Sequence, residues 1–272
     1  MMCAGLRRPI LTAGLLLTAG LVSLAVLSLF WTPQPPGQMQ IAMRLKAPFE
    51  QGLLGTDQFG RDVASMLMSG AWNSLSIAVA AVMLGASAGS ALGLGAAVWR
   101  GWAQALVMRG CDIVFAVPPI LSAMMLAAFM GPGRATAIIA IATFMVPVFA
   151  RLTLGGARQV WTRPYVQAAI GMGRPPWKIT LVHVLPNIAD QIIVQATIQL
   201  GLAILTEAGL SFLGLGMAPP APSWRRMLAD AQTFLGLAPW LAVLPGLAIL
   251  LSVLGFSLLG DGLRDLLDPR AS

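Results

Sequence analysis

Six apolar runs, most of them close to twenty residues long, limit what this chain can become more than any other feature. An α-helix rises about 1.5 Å per residue, so about 20 apolar residues cross a hydrocarbon layer of about 30 Å. The runs predict spans over roughly residues 10–30, 74–98, 105–130, 135–154, 189–213 and 239–260. Of the 272 residues, 57% are hydrophobic and 10% charged, whereas a soluble domain carries about 25% charge. Too few polar side chains exist to coat a water-facing surface, so an all-α integral membrane protein is predicted. The first run, Ile10 to Phe30, exceeds the apolar core of a signal peptide. The "WTPQPP" behind it offers no small-x-small cleavage site, so it reads as an uncleaved anchor.

Arg7 and Arg8 precede the first run, which predicts a cytoplasmic N-terminus, and six crossings return the C-terminus to that side. The inside then holds eleven basic residues: Arg7, Arg8, Arg100, Arg109, Arg151, Arg158, Arg163, Arg174, Lys178, Arg264 and Arg270. Six fall outside: Arg44, Lys46, Arg61, Arg134, Arg225 and Arg226. Cytoplasmic loops carry the excess of basic residues, so this orientation has the right sign. The net charge of +7 is dispersed between apolar runs, which speaks against nucleic acid as a partner. Two cysteines, Cys3 and Cys111, and a single histidine, His183, give no disulfide framework and no metal-ligand cluster.

Within the second run, Gly85, Gly89 and Gly93 recur every fourth residue and Ala97 continues the series. Small residues at this spacing let a second helix approach closely. Pro118–Pro119, Pro147 and Pro245 lie inside runs, where each removes a helical hydrogen bond and can kink the helix.

The fifth run carries a polar face. At about 100° per residue, Gln191, Gln195, Gln199 and Thr206 fall within an arc of about 80°, and Asn187 extends it toward the cytoplasm. Glu207 lies about 80° beyond Gln199. Polar groups in lipid are costly, so these residues are expected to line a translocation pathway or to bond between helices. For Glu207 the pathway is the preferred expectation, with pairing to a sister subunit as the alternative. On the pathway reading, Glu207→Gln should reduce uptake of cationic or free-amine substrates in an intact complex.

No P-loop is present, because Lys46 and Lys178 follow Leu45 and Trp177 and not the glycine of a Walker motif. No metalloprotease or serine-hydrolase signature is present either, so the chain reads as non-catalytic. Between the fourth and fifth runs stands "TRPYVQAAIGMGRPPWKITLVHVLPN", residues 162–187. It predicts a short helix to Gly173, a turn at Arg174-Pro175-Pro176, and a second short helix stopped by Pro186. Such a pair would project as a firm knob from the membrane.

This stretch resembles the "EAA…G" cytoplasmic loop of ABC-importer inner-membrane permeases, whose pattern continues to "HxLPN". Here it reads Gln167-Ala168-Ala169, then Gly173, then His183-Val184-Leu185-Pro186-Asn187. "LGTDQFGRD" (54–62), "LSFLGLG" (210–216), "PSW" (222–224) and "LLGDGLRDLLDPR" (258–270) resemble the dipeptide/oligopeptide/nickel permeases, and more narrowly their C-type subunit. The resemblance covers nearly the whole chain from about residue 50.

It implies the type I importer permease fold: an anchor and outer segment over 1–72, a core over 73–272, and coupling helices at about 160–187. Tyr165, Gln167, Ala168, Ala169 and Gly173 would meet a separate ATPase, and Gln191, Gln195, Gln199 and Glu207 would line the pathway. The implied partners are a sister permease, one or two P-loop ATPases, a periplasmic or secreted binding protein, and the bacterial inner membrane. No cofactor is implied on this chain; ATP and Mg would sit on the ATPases. Dipeptides or oligopeptides are the implied cargo, with nickel chelates or another small solute as the alternative. Readings outside the resemblance are an ion-coupled transporter acting alone and a membrane scaffold. Gln167 stands where the family has Glu, so Gln167→Glu is expected to be tolerated, and Ala169→Arg to place a charge on the docking face.

Overall fold

The computed structural model describes residues 9–212 and 222–267. Arg7, Arg8, Arg270, residues 213–216 of "LSFLGLG" and the closing "DPR" lie outside them. Ten helices run through the described residues: α1 (Pro9–Leu27), α2 (Val63–Trp99), α3 (Gly101–Ala116), α4 (Pro119–Met130), α5 (Arg134–Trp161), α6 (Pro164–Gly171), α7 (Pro176–Ile179), α8 (Leu185–Phe212), α9 (Trp224–Ala231) and α10 (Trp240–Leu267). Five are long and apolar enough to cross a membrane, counting α7 and α8 as one continuous run.

The predicted third span is instead broken. α3 and α4 meet at 90°. The break falls at Pro118–Pro119: Pro119 lacks the N–H that would continue α3, and its ring restricts Pro118 to an extended conformation (ψ 133°). Pro147 and Pro245 behave differently and lie within the continuous helices α5 and α10.

α2 starts eleven residues before the predicted span and runs for 37 residues. Its N-cap is Asp62, whose carboxylate accepts from the Ser65 amide at 2.8 Å and the Ser65 hydroxyl at 2.6 Å. The added turns, Val63 to Asn73, are largely apolar, and tertiary packing buries most of them. Trp224 of α9 lies over Gly70, and its indole N–H donates to the Leu67 carbonyl at 2.8 Å. The division drawn at residues 72/73 therefore falls inside a helix.

α2 packs along α5 through the small-residue seam. A Cβ on Gly89 would come within 2.5 Å of the Val146 carbonyl, and one on Gly93 within 2.5 Å of that of Ala150. Only glycine permits backbones this close. α1 lies against α10 through a second seam that the sequence reading missed: a Cβ on Gly14 would meet the Leu259 amide at 2.5 Å, and one on Gly262 would meet Leu11. α8 closes the bundle against α2, α5 and α10. Large apolar side chains point outward along it, such as Leu16, Met125 and Phe129, as expected where lipid is the solvent.

The "GTDQFGRD" segment forms a tight loop ahead of α2. Asp57 accepts from the Phe59 and Arg61 amides and pairs with the Arg61 guanidinium at 2.6 Å, with both residues buried. Gly60 holds φ +72°, and a Cβ there would collide with the Gln40 carbonyl.

Candidate functional site

The stretch between α5 and α8 folds as the expected helix hairpin. Arg163 leaves α5 in an extended conformation and Pro164 opens α6, a position where its missing N–H costs nothing. α6 ends in a paired cap: the Gly173 amide donates to the Ile170 carbonyl at 2.9 Å and the Arg174 amide to that of Ala169 at 3.1 Å. That motif needs a left-handed residue at its centre, and Gly173 supplies φ +75°. Pro175 and Pro176 then set the direction of α7.

Pro186 does not stop the second helix. α7 continues through a wide turn over Thr180–Val184, where the Leu185 amide reaches the Thr180 carbonyl five residues back, and passes directly into α8. The extra residue in this turn gives the proline ring room and absorbs the bond it cannot make. The Asn187 side chain donates to the His183 carbonyl at 2.7 Å, so the motif asparagine satisfies its own helix. Tyr165 and His183 pack edge to face at 6.1 Å and join α6 to this turn.

The hairpin has two faces. Val166, Ala169, Ile179 and Val184 are buried against Ala96, Ala97, Val160, Trp161 and Ile188. Tyr165, Gln167, Ala168 and Gly173 are exposed, as are Met172 and Trp177. Ala169 thus lies on the inner face, where an added side-chain charge would meet the bundle. Gln167 turns its amide inward, donating to the Trp161 carbonyl at 2.7 Å.

Along α8 the four predicted lining residues separate. Gln191 and Gln195 border an open groove of about 490 Å³ together with Asp190, Val194, Ile198 and Arg264. Gln199 is buried, and Glu207 is only 2% exposed. Positions spaced by four drift about 40° per step, so Glu207 stands about 160° around the helix from Gln191. The carboxylate is therefore turned into the chain's own bundle. Beside it lies Arg225 of α9, also buried, whose guanidinium donates to the Glu207 carbonyl at 3.3 Å. Burial pushes the Arg225 guanidinium below its usual range, and the Glu207 charge opposes that shift. This neighbour was not legible in the sequence, because eighteen residues and a change of helix separate the pair.

A second contact was also missed. Arg151 of α5 pairs with Asp112 of α3, and its guanidinium lies over the Phe115 ring at 4.8 Å. The signal was a lone acid in an apolar run, a whole helix hairpin away from its partner.

A helical membrane bundle with a rigid hairpin between two of its spans defines a subunit of a membrane transporter. Residues 81–272 match the family described as binding-protein-dependent transport system inner membrane component, and the chain belongs to this family. It is a permease subunit of a binding-protein-dependent ABC importer of the dipeptide/oligopeptide/nickel group, a multi-pass protein of the inner membrane. It is 43% identical over 225 residues to the glutathione transport system permease protein GsiD of Pectobacterium atrosepticum, covering 83% of this chain and 75% of that one. It is 45% identical over 223 residues to the protein of that name in Escherichia coli, covering 82% and 74%. The Shigella boydii protein of the same name matches equally.

Proposed function

We propose that the chain forms one half of a translocation pathway and takes its energy from separate ATPase subunits that dock on the α6–α7 hairpin. The observation that carries this reading is the division of the hairpin into two faces. Its inner side is packed into the bundle by Val166, Ala169, Ile179 and Val184. Its outer side leaves Tyr165, Ala168, Met172 and Trp177 uncovered. A packed hairpin moves with the bundle, so force applied to it is transmitted to the spans. ATP and Mg would be held by the ATPases. The remaining partners would be a sister permease and a binding protein that delivers the solute. On this reading the hairpin and both termini face the cytoplasm, in keeping with the distribution of Arg and Lys.

The proposed cargo is a short peptide or a peptide-like thiol such as glutathione, the solute in the relatives' names. Gln191 and Gln195 are the proposed lining residues, since both border the groove. Neutral amides can bond peptide groups without favouring one charge. Gln199 and Glu207, buried within the chain, are assigned to the bundle's interior.

Two substitutions at adjacent positions test the docking face. Ala168→Arg is expected to leave the thermal stability of the permease unchanged while abolishing co-purification of the ATPase subunits and uptake. Ala169→Arg is expected to lower thermal stability, because it forces a charge into the packed side. Normal uptake and co-purification with Ala168→Arg would refute the assignment of the outer face.

A further inference from the structure

Two adjoining cavities open at the base of the hairpin, where α2 turns into α3. One, of about 250 Å³, is lined by Ala97, Arg100, Gln104, Arg158, Trp161 and Thr162. The other, of about 520 Å³, shares Ala97, Arg100 and Trp161 and extends to Arg174 and the Pro175–Pro176 turn. Three arginines from three parts of the chain therefore line two cavities that share a wall. No carboxylate lines either cavity, and none of the three arginine side chains has an ion-pair or hydrogen-bond partner among the described residues.

Two further observations point to a ligand. Trp161 is 6% exposed, and its indole N–H is buried with no acceptor among the described residues. A buried donor is costly unless something accepts from it. Arg100 holds φ 44° and ψ 178°, a conformation almost confined to glycine, although a glycine follows it directly. A strained backbone retained with a long cationic side chain is expected where that side chain has work to do.

The surroundings identify the kind of anion. Trp99 and Trp102 flank Arg100 and are 68% and 80% exposed. With Leu106 and Val107 they line an apolar groove on the outside of the bundle. Outward tryptophans at a helix end mark the level of lipid headgroups. A cationic pocket at that depth, with an apolar strip running away from it, matches a headgroup joined to acyl chains.

We propose that these cavities bind the phosphate headgroup of an anionic phospholipid. Arg100, Arg158 and Arg174 would bond the phosphate oxygens in the forked geometry that guanidinium groups allow, the Trp161 N–H would donate to the headgroup, and the acyl chains would lie along Trp99, Trp102 and Leu106. The lipid would join the α2–α3 turn, the end of α5 and the turn of the hairpin. The composition of the membrane would then set how firmly the hairpin is held. This goes beyond the proposed function and does not depend on the cargo.

The assembled importer, purified in detergent and exchanged into phosphatidylcholine, is titrated with phosphatidylglycerol, and bound lipid on the permease is counted by native mass spectrometry. Saturable binding is expected. Arg100→Gln combined with Arg158→Gln should weaken it about tenfold or more, given that each basic group near a membrane surface contributes roughly a fivefold gain. The double lysine variant should retain most of the binding, which separates lost charge from damaged packing. Arg109→Gln, on the exposed side of α3 and outside both cavities, should change nothing. Unchanged binding in the double glutamine variant would overturn the proposal. Displacement of the lipid by millimolar inorganic phosphate would assign the site to a soluble anion instead. Loss of the ATPase subunits from the double glutamine variant with lipid still bound would show that these arginines meet a protein partner, and would overturn it too.

Discussion

The Gln167 amide donates to the Trp161 carbonyl and so ties α6 to the last turn of α5. A carboxylate cannot donate, and it would set a negative charge against that carbonyl oxygen. An acid at this position is therefore a poor substitute in this chain. Gln167→Glu should loosen the hairpin by about 1 kcal/mol, seen as faster tryptic cleavage after the exposed Lys178 in the purified protein. Cleavage at the wild-type rate would show that the amide bond carries no weight. Glu207 also changes role once its neighbours are known. Its carboxylate is buried beside the buried Arg225 guanidinium, so Glu207→Gln leaves a cation short of counter-charge. Destabilisation on the order of 3 kcal/mol is expected, read as a lower melting temperature with no selectivity between cationic and neutral substrates. Adding Arg225→Gln should restore part of the loss; independent, additive effects would argue that the two groups do not interact.

At the scale of the helix, the α2–α5 seam is the contact with the least tolerance. The positions of Gly85, Gly89 and Gly93 all leave less than 3 Å between an added Cβ and the opposite helix. Gly89→Val should therefore cost about 1–3 kcal/mol or more from overpacking, measured as reduced yield of folded permease in detergent. Gly110→Val, where an added Cβ meets nothing, is the matched control. Yield equal to wild type for Gly89→Val would mean that α2 and α5 can part without loss. The turn at Gly173 rests on backbone geometry instead. Gly173→Ala should weaken it by about 1 kcal/mol, whereas Gly173→Pro cannot adopt φ +75° and removes the donor to Ile170.

For the whole molecule the proposed orientation has a direct check. Gly171 is exposed at the end of α6, and an added Cβ there meets no neighbour. Gly171→Cys, with Cys3 and Cys111 replaced, should react with an impermeant thiol reagent in inside-out vesicles and not in right-side-out ones. The opposite pattern would invert the bundle, and with it the side on which an ATPase could dock.

What the sequence determined by itself was local or periodic. The apolar runs specified the spans because a bilayer admits only segments of that length and polarity. The four-residue glycine repeat specified a close helix contact, and "Gly-Arg-Pro-Pro" specified the hairpin turn, since φ and missing donors are properties of the residues themselves. The "EAA…G" and "HxLPN" resemblance named the hairpin before its fold was visible. Tertiary structure decided the rest. It extended α2 by packing its first turns under Trp224, set the 90° angle at the Pro118–Pro119 break, and carried α7 through Pro186 by widening one turn. It also parted the glutamines from Glu207, because a helical wheel fixes angles around one axis but not which angle faces the bundle. Burial, and with it the difference between a lining residue and a structural charge, is a relation between helices, and no single helix contains it.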